Sequence, residues 1–213
     1  MSDVIFFDLD GTLTDPKPGI TRSIRHALEQ LNVTSPPEDE LTWCIGPPLR
    51  PSLARLVGED SADQALAHYR EHFSTIGIYE NSLYPGVSDL LASLRGKRLF
   101  LATSKPVVYA HRILEYFGIA EFFEQVFGSE LDGTNANKAD LIRHALSQTR
   151  LRATQAVMVG DRSHDIIGAR QNNMAGLGVL YGYGSEPELR EAGAMATFAT
   201  VADLQRGLLG QSG

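Results

Sequence analysis

Short apolar runs that end in polar turns set the main pattern along the chain. Val4–Phe7 is β-branched and aromatic, and it stops at Asp8-Leu9-Asp10-Gly11; it predicts a buried strand followed by a loop. Residues 99–102 form a second such run, ending at Thr103-Ser104-Lys105-Pro106. Val126-Phe127 is a short third. Residues 156–159 are a fourth, ending at Gly160-Asp161, and residues 176–180 a fifth; Phe198 marks a last edge strand. Helical spacing fills the gaps at Val107–Tyr116, 139–146 and 165–173, with Gly118 as a stop signal for the first. From residue 85 onward strands alternate with helices, which predicts a parallel sheet covered on both faces.

The first strand breaks that rhythm. About 90 residues separate it from the next clear strand, where a crossover needs roughly a dozen. The intervening segment is helical by pattern, at 19–31 and 61–73, and Pro16, Pro18 and Tyr84-Pro85-Gly86 punctuate its ends. The expected architecture is an α/β core of residues 1–15 and 84–213, Rossmann-like and doubly wound, interrupted by an inserted all-helical cap at 16–83.

Composition narrows the class. Of 213 residues 43% are hydrophobic and 21% charged, ordinary globular usage that excludes a disordered or collagen-like chain. Lys plus Arg number 19 against 26 Asp plus Glu, a net charge of −7, so a nucleic acid polymer is not an expected partner. The acid excess permits carboxylate clusters that hold a hard metal. The one cysteine, Cys44, makes neither an intrachain disulfide nor a Cys-based zinc site and fits a reducing, cytoplasmic setting. No window approaches the ~20 apolar residues of a membrane span, and no signal peptide is visible. A soluble monomer is expected, with a dimer as the alternative.

In open parallel sheets ligands bind beyond the carboxyl ends of the strands. Asp8, Asp10, Gly11 and Thr12 follow the first strand; Thr103, Ser104 and Lys105 follow the second; Gly160, Asp161 and Asp165 follow the fourth; Lys138 precedes a helix after the third. D-x-D-G-[ST] arises by chance roughly once in 100 chains of this composition, whereas G-D-x-x-x-D alone arises in about 7. A carboxylate fixed at a strand end can attack phosphorus and split one hard displacement into two, which makes Asp8 the candidate nucleophile. Asp10 would protonate the leaving alkoxide and deprotonate the attacking water. Asp8 and a phosphate repel unless a cation intervenes, and Mg²⁺ takes a few carboxylates plus substrate oxygens. Pro106 suits a helix's first turn, which would aim the N–H groups around Ser104 at an anion. Gly11, Ser104 and Lys105 are the candidate phosphate-binding residues, and Arg50, after Gly46-Pro47-Pro48, is a candidate substrate contact from the cap.

Each residue also has a plainer role. Residues 10–12 could be a capped turn, Asp161 and Asp165 a helix cap and first-turn acid, Lys138 a solvated lysine, Thr103 a strand-end cap, and Arg50 a solvated helix face. The catalytic reading stands because all of them would have to be plain together. His164 is read as lying outside the ligand set, and Trp43, Cys44, Tyr181 and Tyr183 as packing residues.

These motifs carry a family resemblance. Phe6-Phe7-Asp8-Leu9-Asp10-Gly11-Thr12-Leu13-Thr14-Asp15 resembles the first motif of the haloacid dehalogenase superfamily, Leu101-Ala102-Thr103-Ser104-Lys105-Pro106 the second, Lys138 the third, and Val159-Gly160-Asp161-Arg162-Ser163-His164-Asp165 the fourth. Ile45-Gly46-Pro47-Pro48-Leu49 and Leu180-Tyr181-Gly182-Tyr183-Gly184 are similar to its phosphoglycolate-phosphatase-like and 5′-nucleotidase-like branch. The resemblance covers the whole core in order. It implies a Mg²⁺-dependent phosphatase acting on a small phosphorylated metabolite, such as phosphoglycolate or a nucleoside monophosphate, through a phospho-aspartate. It assigns the metal to the Asp8 side chain, the Asp10 backbone carbonyl and Asp161, with Asp165 acting through water. Lys138 would hold Asp8 and the phosphoryl group together, and Thr103 would donate to the phosphoryl oxygens. The cap would close about hinges at 14–18 and 82–86.

The same fold runs other chemistry. A dehalogenase has no use for Asp10, and a phosphonatase-like enzyme needs a cap lysine where this cap has only Lys17 at its edge. A sugar-phosphate mutase needs the same four motifs and is the enzymatic alternative. A non-catalytic binding protein is the other, though it need not retain all of Asp8, Asp10, Lys138 and Asp161.

Overall fold

Four consecutive apolar residues, buried on both faces, make Val4–Phe7 the strand β1 of the computed structural model, which describes residues 2–210. The elements that follow are β2 (Thr14–Asp15), α1 (Lys17–Gln30), α2 (Leu49–Val57), α3 (Ala62–Thr75), β3 (Ser82–Leu83) and α4 (Val87–Ser93). Then come β4 (Arg98–Pro106), α5 (Val107–Tyr116), β5 (Gln125–Ser129), α6 (Lys138–Thr149), β6 (Ala156–Gly160) and α7 (Ser163–Gln171). The chain ends with β7 (Ala175–Val179), α8 (Glu186–Ala192), β8 (Ala196–Phe198) and α9 (Val201–Leu209). Two compact units result: Met1–Asp15 with Leu83–Gly213, and Pro16–Ser82.

The first unit is built on a six-stranded sheet of order β5-β4-β1-β6-β7-β8, parallel at every junction. The chain runs from β1 to β4 and β5 on one side, then returns to β6 on the other. The order therefore reverses at β1, and parallel neighbours bring the carboxyl ends of β4, β1 and β6 to one edge. Beneath that edge Phe6 stacks on Phe100 at 4.9 Å, within a buried cluster that includes Phe127, Met158 and, from α6, Leu141 and Ile142.

β4 corrects one expectation. Its apolar run ends at Ala102, yet the strand continues to Pro106, and Ala102 pairs with Phe127 while Pro106 pairs with Ser129. Four steps along β4 thus match two along β5. The partner strand makes room: a Cβ on Gly128 would lie 2.7 Å from the Lys105 carbonyl oxygen, and the Ser129 hydroxyl donates to the Ser104 carbonyl at 2.9 Å. Ser104 therefore sits in a strand bulge. It is not at a helix N-terminus, since α5 begins only at Val107.

The second unit is helical. On α1 Ile24, Ala27 and Leu28 are buried, as are Ala65, Tyr69 and Phe73 on α3, the helix it packs against. Residues Glu38–Cys44 form a 3-10 segment that ends in the buried Cys44, whose thiol burial pushes up to about 12. Among the described residues no helix is long and apolar enough to cross a membrane.

Phe6 is fully buried at the centre of the sheet, and its truncation leaves a cavity that a short strand cannot close. Phe6→Ala is expected to cost about 3–5 kcal/mol, read as a lower urea midpoint at unchanged slope.

Candidate active site

Asp8 is the first residue past β1, and its N–H donates to the Val159 carbonyl at 2.9 Å, prolonging the pairing with β6. The carboxylate is thereby locked at the edge where the strand order reverses. Lys138 opens α6, which is capped by the Asn137 side chain accepting from the N–H groups of Ala139 and Asp140. Its stem crosses Gly168 of α7, where a Cβ would approach Lys138 Cγ to 2.9 Å. The ammonium donates to Asp8 Oδ1 at 2.8 Å and to the Ala102 carbonyl at 2.9 Å, and it pairs with Asp165 Oδ1 at 2.8 Å. Two of its protons are thus given to hydrogen bonds, and the contact with Asp165 is an ion pair.

Asp165 stands in the first turn of α7, and its Oδ2 accepts from the Arg162 N–H at 3.1 Å. It is both the plain helix cap and a member of the charged cluster. Gly160 leaves the space it fills, since a Cβ there would lie 2.3 Å from the Asp165 carboxyl carbon. Asp161 is gripped from two loops. The Tyr183 N–H donates to Oδ2 at 2.8 Å, and the Thr12 hydroxyl lies 3.4 Å from Oδ1. Gly11, at φ +82°, brings its backbone so close that a Cβ would lie 2.2 Å from Asp161 Oδ2.

Asp8, Asp161 and Asp165 each present an oxygen within 4.8 Å of the others, and all three are buried. One ammonium does not balance them. Burial raises Asp8 to about 7 against the opposing pull of Lys138, and burial with the neighbouring Asp165 and Asp8 raises Asp161 well above the usual range. Asp165 is the exception: burial would raise it, but Lys138 outweighs this and holds it low. The donor set is all oxygen and short of positive charge, which fits a hard divalent cation.

The other expected residues are placed as follows. Thr103, Ser104 and Lys105 are buried on the β4 bulge, and the Ser104 hydroxyl has no partner. Lys105 carries its ammonium to 2.8 Å from Asp10 Oδ2. Arg50 belongs to the helical unit, where its Nε and Nη2 grip Asp63 at 2.7 and 3.1 Å and Nη1 meets Glu59 at 2.6 Å. His164 is half-buried, and its Nε2 has no partner.

Sequence reasoning missed the support of the Asp161 loop. Tyr181 and Tyr183 are more than packing: the Tyr181 hydroxyl donates to the Thr12 carbonyl at 3.1 Å, and that of Tyr183 donates to Asp15. Glu188 accepts from the Ser163 N–H at 2.8 Å and from Arg162 Nε at 3.1 Å, steadying the start of α7. The Gly-Tyr-Gly spacing was the available signal, because Gly182 stands where a Cβ would meet the Gly11 carbonyl oxygen at 2.2 Å.

Comparison with known proteins follows the same residues. Residues 5–179 match the family model described as haloacid dehalogenase-like hydrolase. A 5′-nucleotidase of Pseudomonas aeruginosa is 48% identical over 190 residues, covering 87% of this chain and 86% of its own. The tyrosine-protein kinase PtkA of Mycobacterium tuberculosis is 41% identical over 210 residues, covering 97% of this chain and 72% of its own. The crystal structure of a predicted phosphatase from Clostridium acetobutylicum superposes with a TM-score of 0.95 at 39% identity, covering 99% of each chain.

Two outcomes are expected from this electrostatics. A carboxylate whose folded pKa is raised binds protons more tightly folded than unfolded, so Asp8 takes stability from the metal-free protein as pH climbs from 3.8 through about 7. A divalent cation lifts that penalty. Mg²⁺ at a hundredfold excess over Kd should raise Tm by about 5–10 °C near neutral pH and by much less near pH 5, as calorimetry would record. Gly182→Ala, which crowds the Gly11 carbonyl and Asp161 Cβ, should weaken Mg²⁺ binding roughly 10- to 100-fold by titration calorimetry.

Proposed function

The chain belongs to the haloacid dehalogenase-like hydrolases and is a phosphatase of that family, and we propose that it hydrolyses small phosphate monoesters, with Mg²⁺, through a phospho-aspartate on Asp8. The observation that carries this reading is the Lys138 ammonium set between Asp8 and Asp165, beside the oxygen cluster of Asp8, Asp161 and Asp165. Asp8, Asp161 and the Asp10 backbone carbonyl would hold the metal, and Asp165 would act on it through water. When bound, Mg²⁺ supplies the positive charge that lets a phosphate approach an aspartate.

Asp8 attacks phosphorus with Oδ2, the oxygen Lys138 does not hold. The ester P–O bond breaks and the departing oxygen takes a proton from Asp10. Lys138 steadies the phosphoryl oxygens, and the hydroxyls of Thr103 and Ser104 donate to them. Water then attacks phosphorus, Asp10 receives its proton, and the bond to Asp8 breaks to release inorganic phosphate. Phosphoglycolate and nucleoside 5′-monophosphates are the substrate classes proposed. Arg50, whose guanidinium is held by Asp63 and Glu59, stays a proposed substrate contact.

The relative named a tyrosine-protein kinase favours one further question, shared with the mutase alternative: whether phospho-Asp8 gives its group to water or to another hydroxyl. Stoichiometric phosphate release from a panel of monoesters, p-nitrophenyl phosphate included, answers it. Wild-type protein should release one phosphate per ester cleaved, lose turnover on metal chelation and regain it with Mg²⁺. Asp8→Asn should lower turnover roughly a thousandfold or more. Substantial activity left in that variant would refute the assignment.

A further inference from the structure

Asp10 follows Asp8 by two residues, yet it stands outside the oxygen cluster. Its partner is Lys105, whose Nζ lies 2.8 Å from Asp10 Oδ2, with the two side chains only 6% and 9% exposed. Asp10 Oδ1 is buried and has no hydrogen-bond partner. The chain has four lysines, Lys17, Lys97, Lys105 and Lys138, and two of them are buried at this edge of the sheet. Burying an ammonium is costly unless it is paired, and the two share no carboxylate: Lys105 has Asp10, and Lys138 has Asp8 and Asp165.

The fold is shaped to deliver Lys105 there. On β4 the bulge adds residues against β5, and bulges re-aim side chains. The Lys105 N–H is tied to Thr103 Oγ1 at 3.3 Å, and its carbonyl nestles against the bare Gly128. On the other side the Gly11 N–H donates to the Thr14 carbonyl at 2.8 Å, which fixes the backbone beside Asp10. Backbone restraint leaves the carboxylate free to turn about its last bond, a soft torsion with two equivalent oxygens. A cation on one oxygen removes that freedom and decides where the other points.

We propose that Lys105 is a positioning residue for Asp10: its ammonium pins Oδ2 so that Oδ1 meets the departing oxygen and then the water that attacks phospho-Asp8. The inference rests on the phosphatase reading above. It separates Lys105 from Lys138, which serves Asp8, and it takes Lys105 out of direct contact with substrate. Misplacing a proton-transfer group by about 1 Å can cost a hundredfold in rate.

The test uses p-nitrophenyl phosphate, whose leaving group departs without a proton, so that only the water step needs Asp10. In Lys105→Met, kcat should fall roughly 10- to 100-fold while KM falls in proportion, leaving kcat/KM within about threefold of wild type. Rapid mixing should show a burst of one p-nitrophenolate per site, and intact-mass analysis should find the phosphoenzyme. With glycerol phosphate, whose alkoxide needs the proton, kcat/KM should fall as well. Lys105→Gln, which keeps a donor, should lie between Met and wild type, and it decides the matter if the Met variant does not fold. A loss of kcat/KM of tenfold or more on p-nitrophenyl phosphate, with a raised KM and no burst, would show Lys105 on the substrate and overturn the proposal. A wild-type protein that turns over no monoester would instead overturn the phosphatase reading, and this inference with it.

Discussion

One buried ammonium organises the core's working edge. Lys138 joins the end of β1, the carbonyl of Ala102 in β4 and the first turn of α7. Removing one partner from a buried charge pair costs about 3–5 kcal/mol because it strands the other, so these elements are held in mutual register by a contact that none can leave cheaply. The same contact falls short of neutrality. Three buried carboxylates face one cation, and the raised affinities of Asp8 and Asp161 for protons express that deficit. The site is thus held together and yet short of positive charge, a deficit that a bound cation would relieve.

Much of the precision comes from side chains that are missing. Gly11, Gly160, Gly182 and Gly184 each stand where a Cβ would collide with Asp161, with Asp165 or with the loop that carries Asp10. Backbone can then approach a carboxylate directly, as the Tyr183 N–H does to Asp161. Backbone donors have no rotamers to lose, so they restrain the carboxylate at little entropic expense. Tyr183 extends this, since its hydroxyl reaches Asp15 at the point where the chain leaves the core.

The strand ends and their polar residues were legible in the sequence because each is local: an apolar run, then a turn, then an acid or a hydroxyl. β1 matches its run, and α5 is bounded by Val107 and Tyr116 as its spacing predicts. What could not be read depends on partners distant in the chain. Thr-Ser-Lys-Pro looks like a turn, and it becomes strand because Gly128 and Ser129 of β5 accommodate it. The pairing of Lys105 with Asp10 joins two motifs that local patterning treats separately. Arg50 follows its Gly-Pro-Pro loop as read, and the pattern of that loop does not show that Asp63 and Glu59 engage its guanidinium. Tyr181 and Tyr183 have aromatic bodies that suggest packing, and only the fold shows what their hydroxyls meet.

The place of β1 in the sheet has a consequence for the order in which the molecule can be made. It is synthesised first, yet Val4 pairs with Arg98 on one side and Ala156 on the other. At a translation rate of about 5–20 residues per second, its first neighbour reaches the ribosome exit roughly 5–20 s later, and its second later still. Meanwhile the whole of the helical unit, Pro16–Ser82, emerges. The brevity of β1 limits the sticky edge it exposes while it waits. Since Asp161 and Asp165 follow β6, a nascent chain cannot assemble the acidic centre until β6 has emerged, and topology itself fixes that order.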